Sequence, residues 1–317
     1  MRRTIAATLG MLMMAPSIAA AETLLVGNKG EDTLSLIALD SGAELARVPT
    51  GKMPHEIAVS PDGKQAAVVA YGATTIDIVD IAKRVKLRTI DLSPNQRPHG
   101  LLWLSDGRLV ATAEGSQSVA VIAPGGTVTS IATGQQGTHM IVVAPDNRTA
   151  YTANIASGTV SVLDLAAGKK LRDLAVGGKP EGLSLTKGGR ELWVGDLSAP
   201  RVQVWDTVKG EKITELAVDP VAIRVLASPD GKWVATSNIG KGTISLFDAE
   251  TRAPVKVIAV SEGDAARQVT LLWSRDSKRL YAAETGVDKV AEIDVATGKV
   301  LRRIAAGTNG DGLAIAP

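Results

Sequence analysis

The chain has 317 residues and no cysteine, which excludes disulfides, thiolate zinc sites, iron–sulfur clusters and covalently attached c-type haem. Its 35 Lys and Arg stand against 33 Asp and Glu, and two of those basic residues, Arg2 and Arg3, fall in a segment that reads as a leader, so the remainder is balanced and bulk charge gives no argument for a nucleic-acid partner. With one Phe, three Tyr and five Trp, a large core must be filled by Val, Ile, Leu and Ala.

Residues 1–21 have the form of a cleaved secretory signal peptide: Arg2 and Arg3 give a positive start, Ile5 to Met14 is too short to span a bilayer, and Ala19 Ala20 Ala21 is a small-residue cleavage site. The plain residues Thr4 Ile5 Ala6 favour the general export route over the twin-arginine one. The expected location is therefore the periplasm or the medium. No later segment is long and apolar enough for a membrane span, and residues 22–317 show no linker or low-complexity stretch, so they read as one domain.

From Pro54 onward one pattern returns: an apolar strand with a turn behind it. Pro54 His55 Glu56 Ile57 Ala58 Val59 runs into Ser60 Pro61 Asp62 Gly63, and Pro98 His99 Gly100 Leu101 Leu102 Trp103 runs into Leu104 Ser105 Asp106 Gly107. His139 to Asn147 is a third copy, with weaker ones at Pro180 to Gly189, Ala222 to Gly231 and Gln268 to Ser277, and a last one beginning at Gly312. Taking Asp62, Asp106, Asp146, Gly188, Asp230 and Asp276 as equivalent, the steps are 44, 40, 42, 42 and 46 residues. A period near 42 that carries four short strands is the signature of a propeller. Seven alternating strands, such as Thr75 to Asp80 and Thr159 to Asp164, set the blade number. The runs are short, rich in β-branched residues and bounded by Gly, Asp, Asn and Pro, so no helix is required.

The expected fold is all-β, a seven-bladed β-propeller of four-stranded blades. The segment from Thr23 to Asn28 starts in the middle of a repeat and Gly312 to Ile315 is an inner strand, so pairing the two closes the ring without a free sheet edge. The Asp that ends most alternating strands, as in Asp164 Leu165 Ala166 Ala167 Gly168, reads as a turn former. The turn chemistry is expected to be lost at Thr186 Lys187 Gly188 Gly189 and at Ser274 Arg275 Asp276 Ser277.

The run Tyr151 Thr152 Ala153 Asn154 followed by Thr159 Val160 Ser161 Val162 Leu163 Asp164 resembles the YVTN-repeat β-propellers, which include the periplasmic YncE-like proteins. The resemblance extends over residues 22–317. It implies the fold and leaves the chemistry open, since propellers of this appearance include binding proteins, lactonases and cofactor-dependent oxidoreductases. No haem domain flanks the repeats, so the chain does not look like a complete haem d1 nitrite reductase.

In a propeller the start of each inner strand faces the central channel. Seven residues back from each turn position stand His55, His99, His139, Glu181, Ile223 and Val269, with Asp311 in the last repeat. All three histidines of the chain are in this set. Three imidazoles with an open position suit Zn or Cu, with Glu181 or Asp311 as a further ligand or as an acid or base; in the bland alternative each imidazole bonds its neighbouring strand. Arg97, Lys179, Arg224 and Arg267 lie one or two places from ring positions and make a cationic rim suited to a carboxylate or phosphate. Serine-hydrolase, nucleotide-loop and dinucleotide motifs are missing. The five Trp are spread over different blades, as packing residues would be, and do not form a stacking platform.

Three functions follow. The favoured one is a periplasmic binding or accessory protein, not an enzyme, with a small molecule or metal ion at the channel mouth. The others are a metal-dependent enzyme of lactonase, lyase or oxidoreductase type, and a scaffold for a periplasmic protein partner in which the histidines are structural.

Overall fold

The computed structural model describes residues 22–317, and the expected leader lies outside them. Twenty-eight strands form seven four-stranded antiparallel sheets, the expected propeller. We number the blades so that blade 1 contains the closure and blade 2 runs Pro54–Val59, Gln65–Ala70, Thr75–Asp80 and Val85–Asp91 from the channel outward. The inner strands of blades 3 to 7 are Pro98–Trp103, Thr138–Val143, Pro180–Thr186, Ala222–Ala227 and Gln268–Trp273. In blade 1 the inner strand is Gly310–Ala316, paired antiparallel with Thr23–Asn28 so that Thr23 faces Ala316 and Val26 faces Leu313. This is the closure expected from the sequence.

Blades stack face to face, which buries both faces of their two middle strands. Gln65–Ala70 and Thr75–Asp80 are therefore nearly continuous apolar runs, buried except at their first or last residues. The core is divided accordingly into seven clusters, one at each blade-to-blade interface. Val69, Ile76 and Ile78 of blade 2 pack on Leu101, Ala111 and Ala120 of blade 3, and at the seam Leu24, Val26 and Ile37 pack on Tyr281, Val290 and Ile304 of blade 7. Alanine at many of these positions brings sheets close enough to exclude water without large aromatics. Outer strands such as Val85–Asp91 are mostly exposed.

The turns explain why the repeat is so regular. Ser60 Oγ donates to Asp62 Oδ1 at 2.6 Å and accepts from the Gln65 amide at 2.9 Å, and Ser228 repeats both bonds with Asp230 and Trp233. Ser274 does the same with Asp276 and Arg279. The expectation that this last turn had been lost is thus corrected: Ser277, at φ 60°, takes the left-handed place held by Gly63 and Gly231, and the hydrogen bonds need only the Ser and the Asp. The other departure is real, since Lys187–Gly189 forms a 3-10 turn. Asp164 accepts the amides of Ala166 and Ala167, as a turn former should. Among the described residues helix is confined to three such 3-10 turns, and no helix is long and apolar enough to cross a membrane.

Each inner strand begins with a bulge. In blade 2, Pro54 pairs with Ala70 and Ile57 with Val68, so His55 and Glu56 together oppose Val69 alone. The other six blades shift register at the same place. A bulge re-aims the side chains of its two residues, so each blade can offer the channel two consecutive side chains instead of one. The extra backbone also crowds the neighbouring blade. A Cβ on Gly312 would stand 1.8 Å from the His55 carbonyl oxygen, and one on Gly182 would stand 2.5 Å from the Val225 amide nitrogen. Only glycine fits either place.

Candidate functional site

The bulges bring His55, His99, His139, Glu181 and Asp311 into one cluster at the channel mouth, with Glu56 and Arg224 from the second bulge position. Three consecutive blades supply the imidazoles, and their rings overlap in sequence: His55 and His99 centroids are 3.9 Å apart, His99 and His139 centroids 3.5 Å. Nε2 of His55 lies 3.1 Å from Nε2 of His99 and 3.3 Å from Oδ2 of Asp311. One ligand atom from each of His55, Glu56 and His99 lies within 4.8 Å of the others.

His139 stands apart in its chemistry. Its nitrogens turn to carboxylates, Nδ1 to Glu114 Oε2 and Nε2 to Glu181 Oε1, each at 3.4 Å. Sequence position made the three histidines equivalent, whereas their surroundings divide them into a pair and a single. Burial opposes a charge on His139, but Glu114 and Glu181 outweigh it and hold the imidazole above its ordinary range. Burial also holds His99 well below that range, and the neighbouring His139 and His55 push the same way, so His99 is a neutral imidazole at pH 7. Neutral nitrogen is the form that binds a metal.

Arg224 is the floor of the site. Its guanidinium, 7% exposed, reaches from blade 6 to Glu181 of blade 5 and across the channel to Glu56 of blade 2, 2.6 Å away. Burial works against its charge, but Glu181, Glu56 and Asp311 raise its pKa further. Glu56 is half-buried, which opposes its charge, but Arg224 and then His55 keep it below its ordinary range. Asp311 accepts a hydrogen bond from Thr270 at 2.8 Å and an ion pair from Lys29. Burial disfavours its charge, but His55, Lys29 and Arg224 together hold it well below the usual carboxylate range.

A second ring, which the sequence reading did not single out, lies just past the end of each second strand: Lys29, Tyr71 and Glu114 in blades 1 to 3, and Ile239 in blade 6. Aligning the repeats on Asn28, Ala70, Ala113 and Asn238 would have found it, because these four residues are equivalent. Tyr71 sets its ring edge-on to His55 and His99 and donates its hydroxyl to Glu114 at 2.9 Å. Burial and Glu114 both raise the Tyr71 pKa, so the phenol keeps its proton.

The expected rim divides as well. Arg97 lies over the Tyr71 ring, 4.7 Å from its centroid, and Arg267 lines the cavity mouth. Arg224 is buried below, and Lys179 is exposed and does not line the cavity. The Trp residues are elsewhere: Trp193 is wholly buried in the interface of blades 5 and 6, and Trp205 and Trp273 pack in other interfaces.

The cavity at the channel mouth is about 220 Å³ and is open to solvent. Its walls hold most of the unmet hydrogen-bonding demand of the protein. Of six buried side-chain polar atoms without a well-formed hydrogen bond among the described residues, five are here: Oε2 of Glu181, Nε of Arg224, and Nδ1 of His55, His99 and His139, of which the first and last imidazoles face Glu56 and Glu114 at 3.5 and 3.4 Å. Each such atom is costly where nothing meets it.

A model of the YNCE-like beta-propeller family matches residues 4–316. Antigen Lp49 of Leptospira interrogans serogroup Icterohaemorrhagiae serovar copenhageni (strain Fiocruz L1-130) is 23% identical over 294 residues, covering 85% of this chain, and the match spans 62% of the length of that relative. Among solved structures, Kuenenia stuttgartiensis hydrazine synthase superposes with a TM-score of 0.78 at 19% identity over 86% of this chain and 92% of that one. A functionally unknown protein from Desulfotomaculum acetoxidans DSM 771 gives 0.79 at 14% over 93% and 98%. The dihydro-heme d1 dehydrogenase NirN, in complex with DHE, gives 0.65 at 14% over 92% and 74%. At these identities the three structures speak to the fold alone.

Proposed function

We propose, on the premise that the chain belongs to the YNCE-like β-propeller family, that it is a periplasmic binding protein whose small ligand sits in the channel-mouth cavity beside a divalent transition metal. His55, His99 and Glu56 hold the ion. The observation that carries this reading is the concentration, in one cavity, of five of the six buried polar atoms that lack a well-formed hydrogen bond among the described residues. A fold that satisfies its polar groups almost everywhere else leaves them open where something is to be bound.

The metal half follows from the donor set. In the metal-free site only one proton can lie between the two Nε2 atoms of His55 and His99, 3.1 Å apart. A cation there would accept both lone pairs at once. Two imidazoles and a carboxylate with a position left over suit Zn, and imidazole suits Cu as well. Export rests on the leader-like residues 1–21. The test is elemental analysis of untagged protein from the periplasmic fraction, incubated with Zn or Cu and dialysed. About one ion per chain is expected, falling to background in His99→Ala; protein that stays metal-free sinks the metal half.

One observation favours a second reading, a metal-dependent enzyme. Burial opposes a proton on His139, but Glu114 and Glu181 outweigh it and favour the protonated imidazole beside the cavity, the arrangement of a general acid. Turnover by metal-loaded protein that is lost in His139→Gln would decide for it.

A further inference from the structure

We infer that the ligand of this cavity is a small organic monocarboxylate, with its carboxylate on Arg267 and its hydrocarbon against Ile223, Val269 and Ile239. The inference rests on the reading of the cavity as a binding site and adds what that site selects.

Size comes first. The cavity, about 220 Å³, is smaller than the roughly 300–1,000 Å³ of pockets for drug-sized molecules. The occupant is a short molecule. The two sides of the ring then differ in kind. Blades 2 to 4 contribute the histidine arc, whereas at the corresponding bulges blades 6 and 7 contribute Ile223 and Val269, joined by Ile239 from the second ring. A ligand filling this space meets hydrocarbon on one side, which a bare inorganic ion cannot use.

Charge fixes the polar end. Arg224 is engaged by Glu56 and Glu181, Lys29 by Asp311, and Arg97 lies on Tyr71 with Glu114 at 3.7 Å. Arg267, exposed, lines the mouth on the apolar side, and no ion pair among the described residues includes its guanidinium. Glu56, Glu181 and Asp311 each already face a cation, so the cation that stands open at the mouth is the guanidinium of Arg267. One free guanidinium offers a two-pronged fork that fits one carboxylate. Arg267 also sits at φ 46°, a left-handed conformation that Gly or Asn would take more readily, so the turn itself does not call for arginine.

The test is calorimetric titration of butyrate, with butylamine and inorganic phosphate as controls, into zinc-free and zinc-loaded protein. Butyrate is expected to bind, and Arg267→Gln to weaken it at least tenfold, with Arg267→Lys recovering part of the loss. Arg267 is exposed, so these variants keep the fold, which circular dichroism checks. Failure of butyrate to bind either form overturns the inference, as does equal binding to Arg267→Gln or binding of phosphate as tight as that of butyrate. Zinc content measured on the same samples separates the two readings. Zinc uptake without butyrate binding removes the carboxylate and leaves the metal; Arg267-dependent butyrate binding without zinc uptake does the reverse.

Discussion

At the turn end of the inner strands, Ser60, Ser228 and Ser274 repeat one pair of hydrogen bonds in three blades, even where Pro and Gly have been replaced. At the bulged start of the same strands, the seven blades present His, His, His, Glu, Ile, Val and Asp at one position, and the residue that follows differs again. The turn is answered locally, by a serine and an aspartate two residues apart. The bulge is answered across the channel, as Arg224 of blade 6 shows by pairing with Glu56 of blade 2. A repeat protein can thus keep one end of a strand constant for architecture and vary the other for chemistry, because neither end supports the other directly.

Each part of that contrast can be broken separately. The largest effect is expected from deleting Asp311–Pro317, which removes both ends at once, together with the buried Leu313, Ala314 and Ala316 and the pairing that closes the ring. We expect cooperative thermal unfolding to be lost or lowered by more than about 10 °C, and an unchanged melting temperature would refute the closure. Next comes Arg224→Met, which leaves two carboxylates of the channel without their cation. Stripping one partner from a buried ion pair typically costs about 3–5 kcal/mol, to be read by urea unfolding. Adding Glu56→Gln and Glu181→Gln to that variant should restore part of the loss; no recovery would show that Arg224 acts by packing. The smallest effect belongs to the turn. Ser60→Ala forfeits its two local hydrogen bonds, roughly 1 kcal/mol each, and should leave zinc uptake unchanged. A change in zinc uptake would show that the two ends are coupled after all.

The turn end is also the legible end. Ser, Pro, Asp and Gly recur with a readable period because their task is the same in every blade, and that period yields the blade count, the strand order and the seam. The first ring was legible by the same counting, which brought His55, His99, His139, Glu181 and Asp311 to one place. Arg224 was harder, since a bulge puts two consecutive residues on one side of a strand and breaks the alternation from which direction is usually read. Lys29, Tyr71 and Glu114 share an equivalent position but no chemical type, so only the alignment of the repeats marks them and no recurring residue does. The separation of His139 from the other two imidazoles depends on where Glu114 and Glu181 point. Spacing along the chain does not encode that.

The central claim is that His55 and His99 act as a pair on one metal ion while His139 keeps its carboxylates. Nitrogen-15 spectra of the three histidine side chains during zinc titration test it most directly. At one equivalent of zinc the Nε2 resonances of His55 and His99 should move together to metal-bound shifts, with those of His139 left near their starting values. If no histidine nitrogen moves, or if His139 moves in place of the pair, the assignment of the site is wrong.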